Sequence, residues 1–229
     1  MLDSIINAIN TQLTPTIWEL LGRSTYETIY MSLVATAFAV LFGLPLGVLT
    51  FITEKGEILE NKLLNRILNI FINVGRSIPF IILLLLLMDT TRALVGTTIG
   101  TTASIIPLSA SALPFFARLT ANALSETPKG LTEAAKAMGA TNWQVITKFY
   151  LPEAKTALIK AITLTLVGVI GYSAMAGTQG GGGLGNTAIS YGVHRNMEAV
   201  KWVATIIIVA LVMLSEKYGN KIADRNDHR

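Results

Sequence analysis

Thr127-Pro128-Lys129-Gly130-Leu131-Thr132-Glu133-Ala134-Ala135-Lys136-Ala137-Met138-Gly139 is a polar interruption in an apolar chain, and Thr141-Asn142-Trp143-Gln144 and Leu151-Pro152 complete it. Thr127-Pro128 reads as a helix N-cap followed by a first-turn proline. Leu131, Ala134, Ala135 and Met138 then share one helical face. Gly139 is a natural C-terminal stop. Thr141 with Gln144 three residues later is a capping box that starts a second short helix. Trp143, Ile146 and Tyr150 are spaced for one face of that helix, and Leu151-Pro152 ends it. The reading is two short helices hinged at Gly139, neither long nor apolar enough to span a bilayer. No core is expected here, so the apolar faces must rest on the membrane surface or on another protein. Both a surface-lying pair with a solvated Glu133 and a helix-in-groove docking device fit the periodicity.

Working outward, the flanks are membrane-like. Of 229 residues, 52% are hydrophobic and 14% charged, against about 25% charged in a soluble domain. A crossing helix needs about 20 mainly apolar residues. Five segments qualify: 28–52, 67–88, 99–117, 157–176 and 199–214. The second and fifth are the clearest. The third carries Thr, Ser, Pro107 and Pro114, so it should face other helices rather than lipid. Gly43, Pro45 and Gly47 predict a kink or tight packing in the first span.

Lys and Arg set the orientation. With the N-terminus outside, Lys55, Lys62, Arg66, Arg76, Arg118, Lys129, Lys136, Lys148, Lys155, Lys160, Lys217, Lys221, Arg225 and Arg229 lie inside. Only Arg23, Arg92, Arg195 and Lys201 lie outside, so five spans keep the bias at fourteen against four. Residues 118–156 are then cytoplasmic and 217–229 form a cytoplasmic tail. Arg76 and Arg118 read as snorkelling anchors at span ends; Arg76, followed by Ser77 and Pro79, also suits a brace of the cytoplasmic loop. Leu2, Ile5, Ile6, Ile9 and Leu13 predict either an amphipathic segment over residues 1–23 on the outer surface or a frayed leader before the first span. The start of the chain lacks the basic run of a signal peptide, so the first span is expected to be retained.

Several function classes are poorly served. There is no Cys, hence no thiol chemistry, and only His194 and His228, with no metal-ligand motif. No cofactor, metal or catalytic set is expected, and the basic residues form no nucleic-acid patch. No Asp or Glu falls inside a proposed span, which argues against an ion-coupled carrier. Gly180–Gly183 is not a phosphate loop, since no Gly-Lys-Ser/Thr follows. It either breaks a helix for close approach or serves as a flexible linker. In the fourth span, Met175 lies near the outer end, where a flexible, polarizable side chain suits a gate and equally suits helix packing. Tyr172 and Ser173 are candidates to line a cavity.

The Glu133-Ala134-Ala135…Gly139 spacing resembles the coupling loop of bacterial ABC-importer permeases. Asn73-Val74-Gly75-Arg76-Ser77-Ile78-Pro79-Phe80-Ile81-Ile82, Val95 to Gly100, Ala137 to Thr141, Gly171-Tyr172-Ser173-Ala174-Met175-Ala176-Gly177 and Gly180 to Gly185 narrow the resemblance to permeases of the methionine branch. One departure is Phe149, where the common pattern has isoleucine. The resemblance implies an all-α, polytopic type I importer permease of five spans over residues 24–216, in the bacterial plasma membrane. It implies a homodimer, two ATP-binding ABC subunits, and an extracytoplasmic substrate-binding lipoprotein. Glu133, Ala134, Ala135, Met138, Gly139, Leu151 and Pro152 would couple to the ATPase, which does the chemistry. Met175, Tyr172 and Ser173 would belong to the pathway and gate. The implied cargo is methionine, D or L, and related amino acids. The alternative is a permease for another small amino acid or polar solute.

Overall fold

In the computed structural model, which describes residues 12–226, helix α1 runs unbroken over Pro15–Ile52. Pro15 opens it, as suits a residue with no N–H to leave unpaired. Its 38 residues extend on the order of 57 Å at 1.5 Å per residue, well beyond a hydrocarbon core of about 30 Å. The expected break near residue 23 is absent from it. Ile17, Leu21, Ser24 and Thr28 are all buried at helical spacing, so the amphipathic lead-in continues into the first span in register. Leu13 packs on the same side, while Leu2, Ile5, Ile6 and Ile9 lie outside the described residues.

The second expected span is interrupted. Asn61 caps α2, Lys62–Ser77, by accepting from the Leu64 N–H at 3.0 Å. Ile78 is extended (φ −79°, ψ 119°), because the proline that follows disfavours helical geometry. The chain resumes as α3, Phe80–Leu86, and α4, Met88–Val95, which stops at Gly96 with φ +83°. The long apolar run Ile81–Leu87 hid a break that Pro79 dictates. Among the described residues four helices are long and apolar enough to cross a membrane, and five spans result when α2 and α3 count as one broken span.

Helix α5, Thr101–Ser125, carries the third span. Half of its most apolar window is buried, against 17% for the last helix, which fits the expectation that it faces protein. The two short helices of the loop follow. They lead into α9, Lys155–Gly177; α10, Gly183–Thr187, with a π-helical turn over Ala188–Val193; and α11, Glu198–Arg225. Helix α11 runs well past the expected span and through most of the expected tail.

The chain divides into two compact units. The first takes the chain up to Thr36, Pro79–Ala110 and Leu166–Ser215. Its core joins Ile17 and Leu21 to Leu184, Val200 and Ala204. The second takes Ala37–Ile78, Ser111–Thr165 and the chain from Glu216 onward. Its core joins Phe51 and Ile52 to Ala121, Leu124, Ala135, Val145, Ile146, Tyr150 and Ala154. There Gly47 lets α1 and α5 touch: a Cβ at Gly47 would lie 2.5 Å from the Ala117 carbonyl oxygen and 2.5 Å from Thr120 Cβ. Small residues are the usual means of close helix approach in membranes. The Gly43-Pro45-Gly47 pattern thus marks tight packing, in a helix that stays continuous through Pro45.

Candidate functional site

In the second unit, α6 spans Lys129–Ala137. Its N-cap is Pro128, without a side-chain bond, rather than Thr127. The Thr127 side chain turns inward instead, and its hydroxyl is buried with no partner. The face expected to hold Leu131, Ala134, Ala135 and Met138 is split. Ala135 is 0% exposed, whereas Met138 is 72% exposed. Leu131 and Thr132 are half-buried beside Ala135, and Glu133, Ala134 and Ala137 point outward with Met138. Positions three and four apart share a face, so 131, 132 and 135 form the inner side.

Gly139 ends α6 as its sequence predicts. It adopts φ +80°; its N–H donates to the Lys136 carbonyl at 2.9 Å, and the Ala140 N–H to the Ala135 carbonyl at 3.0 Å. That pair of bonds is a Schellman closure. The capping box also forms: the Gln144 N–H donates to Thr141 Oγ1 at 3.3 Å and the Thr141 N–H to Gln144 Oε1 at 2.8 Å.

Helix α7, Asn142–Val145, passes into a π-helical turn, Ile146–Tyr150, and then into α8, Leu151–Glu153. The segment stops at Glu153, one residue past Pro152. The widened turn ahead of the proline is the usual accommodation of a residue that breaks the hydrogen-bond ladder. Trp143 does not share the predicted face with Ile146 and Tyr150. Ile146 and Tyr150 are buried, and Trp143 is 72% exposed. The loop also has a core, contrary to expectation, because the ends of α1 and α5 reach into it. Its outer surface holds Glu133, Ala134, Met138 and Trp143.

Sequence reasoning missed the polar groups beneath. Thr132 Oγ1 donates to the Tyr150 hydroxyl at 3.0 Å, and that hydroxyl donates to Glu57 Oε2 at 2.8 Å. Burial pushes the Tyr150 phenol up to about 12, the Thr132 bond opposes this, and Glu57 adds to it. Glu54 is raised by burial and by Glu57, and eased back by Arg118. Arg118 itself donates from Nη2 to Asn69 Oδ1 at 2.8 Å and Asn73 Oδ1 at 3.0 Å. Asn65 Nδ2 donates to the Thr50 carbonyl at 2.7 Å. Arg118 is thus a brace between α5 and α2 rather than a lipid-facing anchor. Asn65, Asn69 and Asn73 at i, i+4, i+8 were the available signal. Arg76 is exposed at the end of α2.

The second predicted set sits in the first unit, near the end of α9. Met175 is 45% exposed, and Tyr172 is exposed with its ring stacked on Phe80 (centroids 5.1 Å, 12° between planes). Ser173 does not join them. It is buried, and its hydroxyl donates to the Ile170 carbonyl at 2.7 Å. The glycine run that follows is packed rather than flexible. Gly180, Gly182 and Gly183 take positive φ, the Gly183 N–H donates to Glu27 Oε2 at 2.9 Å, and the Leu184 N–H donates to Thr28 Oγ1 at 2.9 Å. Glu27 lies inside α1 because that helix starts earlier than the sequence suggests.

Membrane-length helices around a polar two-helix loop define an all-α polytopic membrane protein of the type I ABC importer permease fold. The profile of the "Binding-protein-dependent transport system inner membrane component" family matches residues 43–216, and the chain belongs to that family. It is 67% identical to the probable D-methionine transport system permease protein MetI of Pasteurella multocida over 217 residues, 95% of this chain and 100% of the relative. It is 62% identical to the protein of the same description from Haemophilus influenzae over 212 residues, 93% and 100%. A solved structure of the MetNI methionine ABC transporter, in an inward-facing conformation, matches with a TM-score of 0.93 at 42% identity, over 94% of this chain and 100% of that one.

Proposed function

We propose that this chain is the permease subunit of an ATP-driven importer for methionine, in its D and L forms, and related amino acids. Two copies form the pathway, two ATP-binding ABC subunits drive it, and a substrate-binding protein delivers the cargo. ATP hydrolysis belongs to the partner. The cargo assignment is supported by the near full-length similarity to relatives described as D-methionine permeases.

The observation that carries the coupling reading is the outward surface of Glu133, Ala134, Met138 and Trp143 on a helix pair fixed from below by Ala135, Val145 and Ile146. A rigid apolar face with one carboxylate suits docking into a groove of a soluble motor. Ala135 serves this surface from beneath, Gly139 sets where α6 ends, Leu151 packs the second segment against the core, and the exposed Pro152 lies in the last turn of that segment. The N-terminus is outside and the second unit is on the cytoplasmic side. In support, the basic residues from Lys55 to Arg225 that were assigned to the inner side all belong to that unit. Met175, with Tyr172 beside it, forms the outer gate together with the second copy.

The chain has no native Cys, so single cysteines report cleanly. In membranes holding the full complex, Met138→Cys and Trp143→Cys are expected to cross-link to the ATP-binding subunit, and Ala135→Cys is not. Equal cross-linking at all three, or none at Met138 and Trp143, removes the docking surface.

A further inference from the structure

The outer face of α6 does not explain how its movement reaches the membrane helices. Helix α6 is nine residues long and is closed at its C-terminal end by the Gly139 turn. Below it, Ala135 supplies apolar contact, which resists compression but fixes no direction. The directional link is polar: Thr132 Oγ1 to the Tyr150 hydroxyl, and that hydroxyl to Glu57 Oε2. Glu57 stands in the turn between α1 and α2. That turn is tied to the end of α1 by the Leu59 N–H on the Ile52 carbonyl (3.0 Å) and the Asn61 N–H on the Thr53 carbonyl (3.1 Å).

Tyr150 is placed to serve as the pivot. It is 2% exposed, and its ring packs edge-on against Phe51 of α1 at 5.1 Å. It is the last residue of the π-helical turn, where one extra residue re-aims a side chain. One side chain therefore touches the docking helix, the end of α1 and the α1–α2 turn. Its hydroxyl acts as acceptor on one side and donor on the other.

We propose that Tyr150 is a positioning residue for coupling: its hydroxyl ties the docking helix, through Thr132, to Glu57 and the α1–α2 turn, so that displacement of α6 moves the membrane helices. This rests on the proposed reading of the loop as the ATPase contact. The ring gives packing and the hydroxyl gives the link, so the two are separable. Tyr150→Phe retains the ring, and Glu57→Gln retains an acceptor oxygen.

The test uses the full complex of permease, ATP-binding subunits and binding protein in proteoliposomes, scoring methionine taken up per ATP hydrolysed. Tyr150→Phe and Glu57→Ala are expected to lower that ratio roughly threefold or more, the size of shift typical when a coupling contact is removed. Basal ATP hydrolysis and the yield of complex are expected to stay near wild type, and Glu57→Gln to keep most of the ratio. An unchanged ratio in Tyr150→Phe overturns the proposal. So does a fall in yield and ATPase that parallels the fall in uptake, which marks a brace of the fold only. Wild-type complex that hydrolyses ATP without methionine uptake overturns the cargo reading instead, and the link is then scored by cross-linking of Met138→Cys to the ATP-binding subunit: Tyr150→Phe must alter it, and an unchanged yield contradicts the link.

Discussion

Gly139→Ala isolates the backbone contribution to the docking helix. Gly139 holds φ +80°, and a Cβ built there meets nothing within 4 Å. Steric clash therefore drops out, and the cost is that of a left-handed L-residue, about 1–2 kcal/mol. That corresponds to roughly 5- to 30-fold in the equilibrium between the closed and frayed end of α6. The amides that report it are those of Gly139 and Ala140, bonded to the Lys136 and Ala135 carbonyls. Hydrogen exchange by mass spectrometry on the purified complex is the assay. The peptide covering 135–141 is expected to exchange roughly 5- to 30-fold faster in Gly139→Ala, with Gly139→Asn intermediate because asparagine tolerates this conformation better. Gly130→Ala is the control, since it lies within α6 and is also free of neighbours. There a gain in helix propensity of up to about 1 kcal/mol should slow exchange. Equal exchange in Gly139→Ala and wild type would refute the claim that the turn at Gly139 sets the end of the helix.

Other perturbations report on other parts. Gly183→Ala combines positive φ (+73°) with a Cβ 2.5 Å from Met31 Cε and 2.7 Å from Thr28 Oγ1, so thermal unfolding in detergent should show a loss of about 2–5 kcal/mol. Met175→Ala is expected to raise solute leak or uncoupled ATP turnover in proteoliposomes, and no change in either would leave Met175 as packing only. Glu54 is held above its ordinary value of 4.5. A raised carboxyl favours the folded state fully below its unfolded pKa, and that favour is lost as pH rises through the folded value. Glu54→Gln should therefore stabilise the chain at pH 7.5 and flatten the pH dependence of melting from about pH 4.5 upward.

Much of the loop was legible because its signals are local. The Thr141–Gln144 box and the Gly139 stop depend on neighbours within a few residues, and both form as expected. What failed was long-range. Leu131, Ala134, Ala135 and Met138 are compatible with one face by periodicity, but which of them is buried depends on Phe51 and Ile52, far away in sequence. Trp143 fits one helical face with Ile146 and Tyr150 by spacing, but only Ile146 and Tyr150 meet the core that α1 and α5 supply. Arg118 looked like an anchor because its partners Asn69 and Asn73 sit on another helix. In the second span, hydropathy outweighed Pro79, although local stereochemistry was the better guide. The early start of α1 was missed because a polar half-turn around Arg23–Glu27 resembles a span end, yet Arg23 Nε and Glu27 Oε1 pair at 3.1 Å along the helix.

The most direct test of the central claim is methionine uptake into proteoliposomes containing this chain, its ATP-binding subunit and the binding protein. The account predicts accumulation that requires ATP and all three components. Accumulation without ATP, or ATP-driven uptake that persists when this chain is omitted, would contradict it.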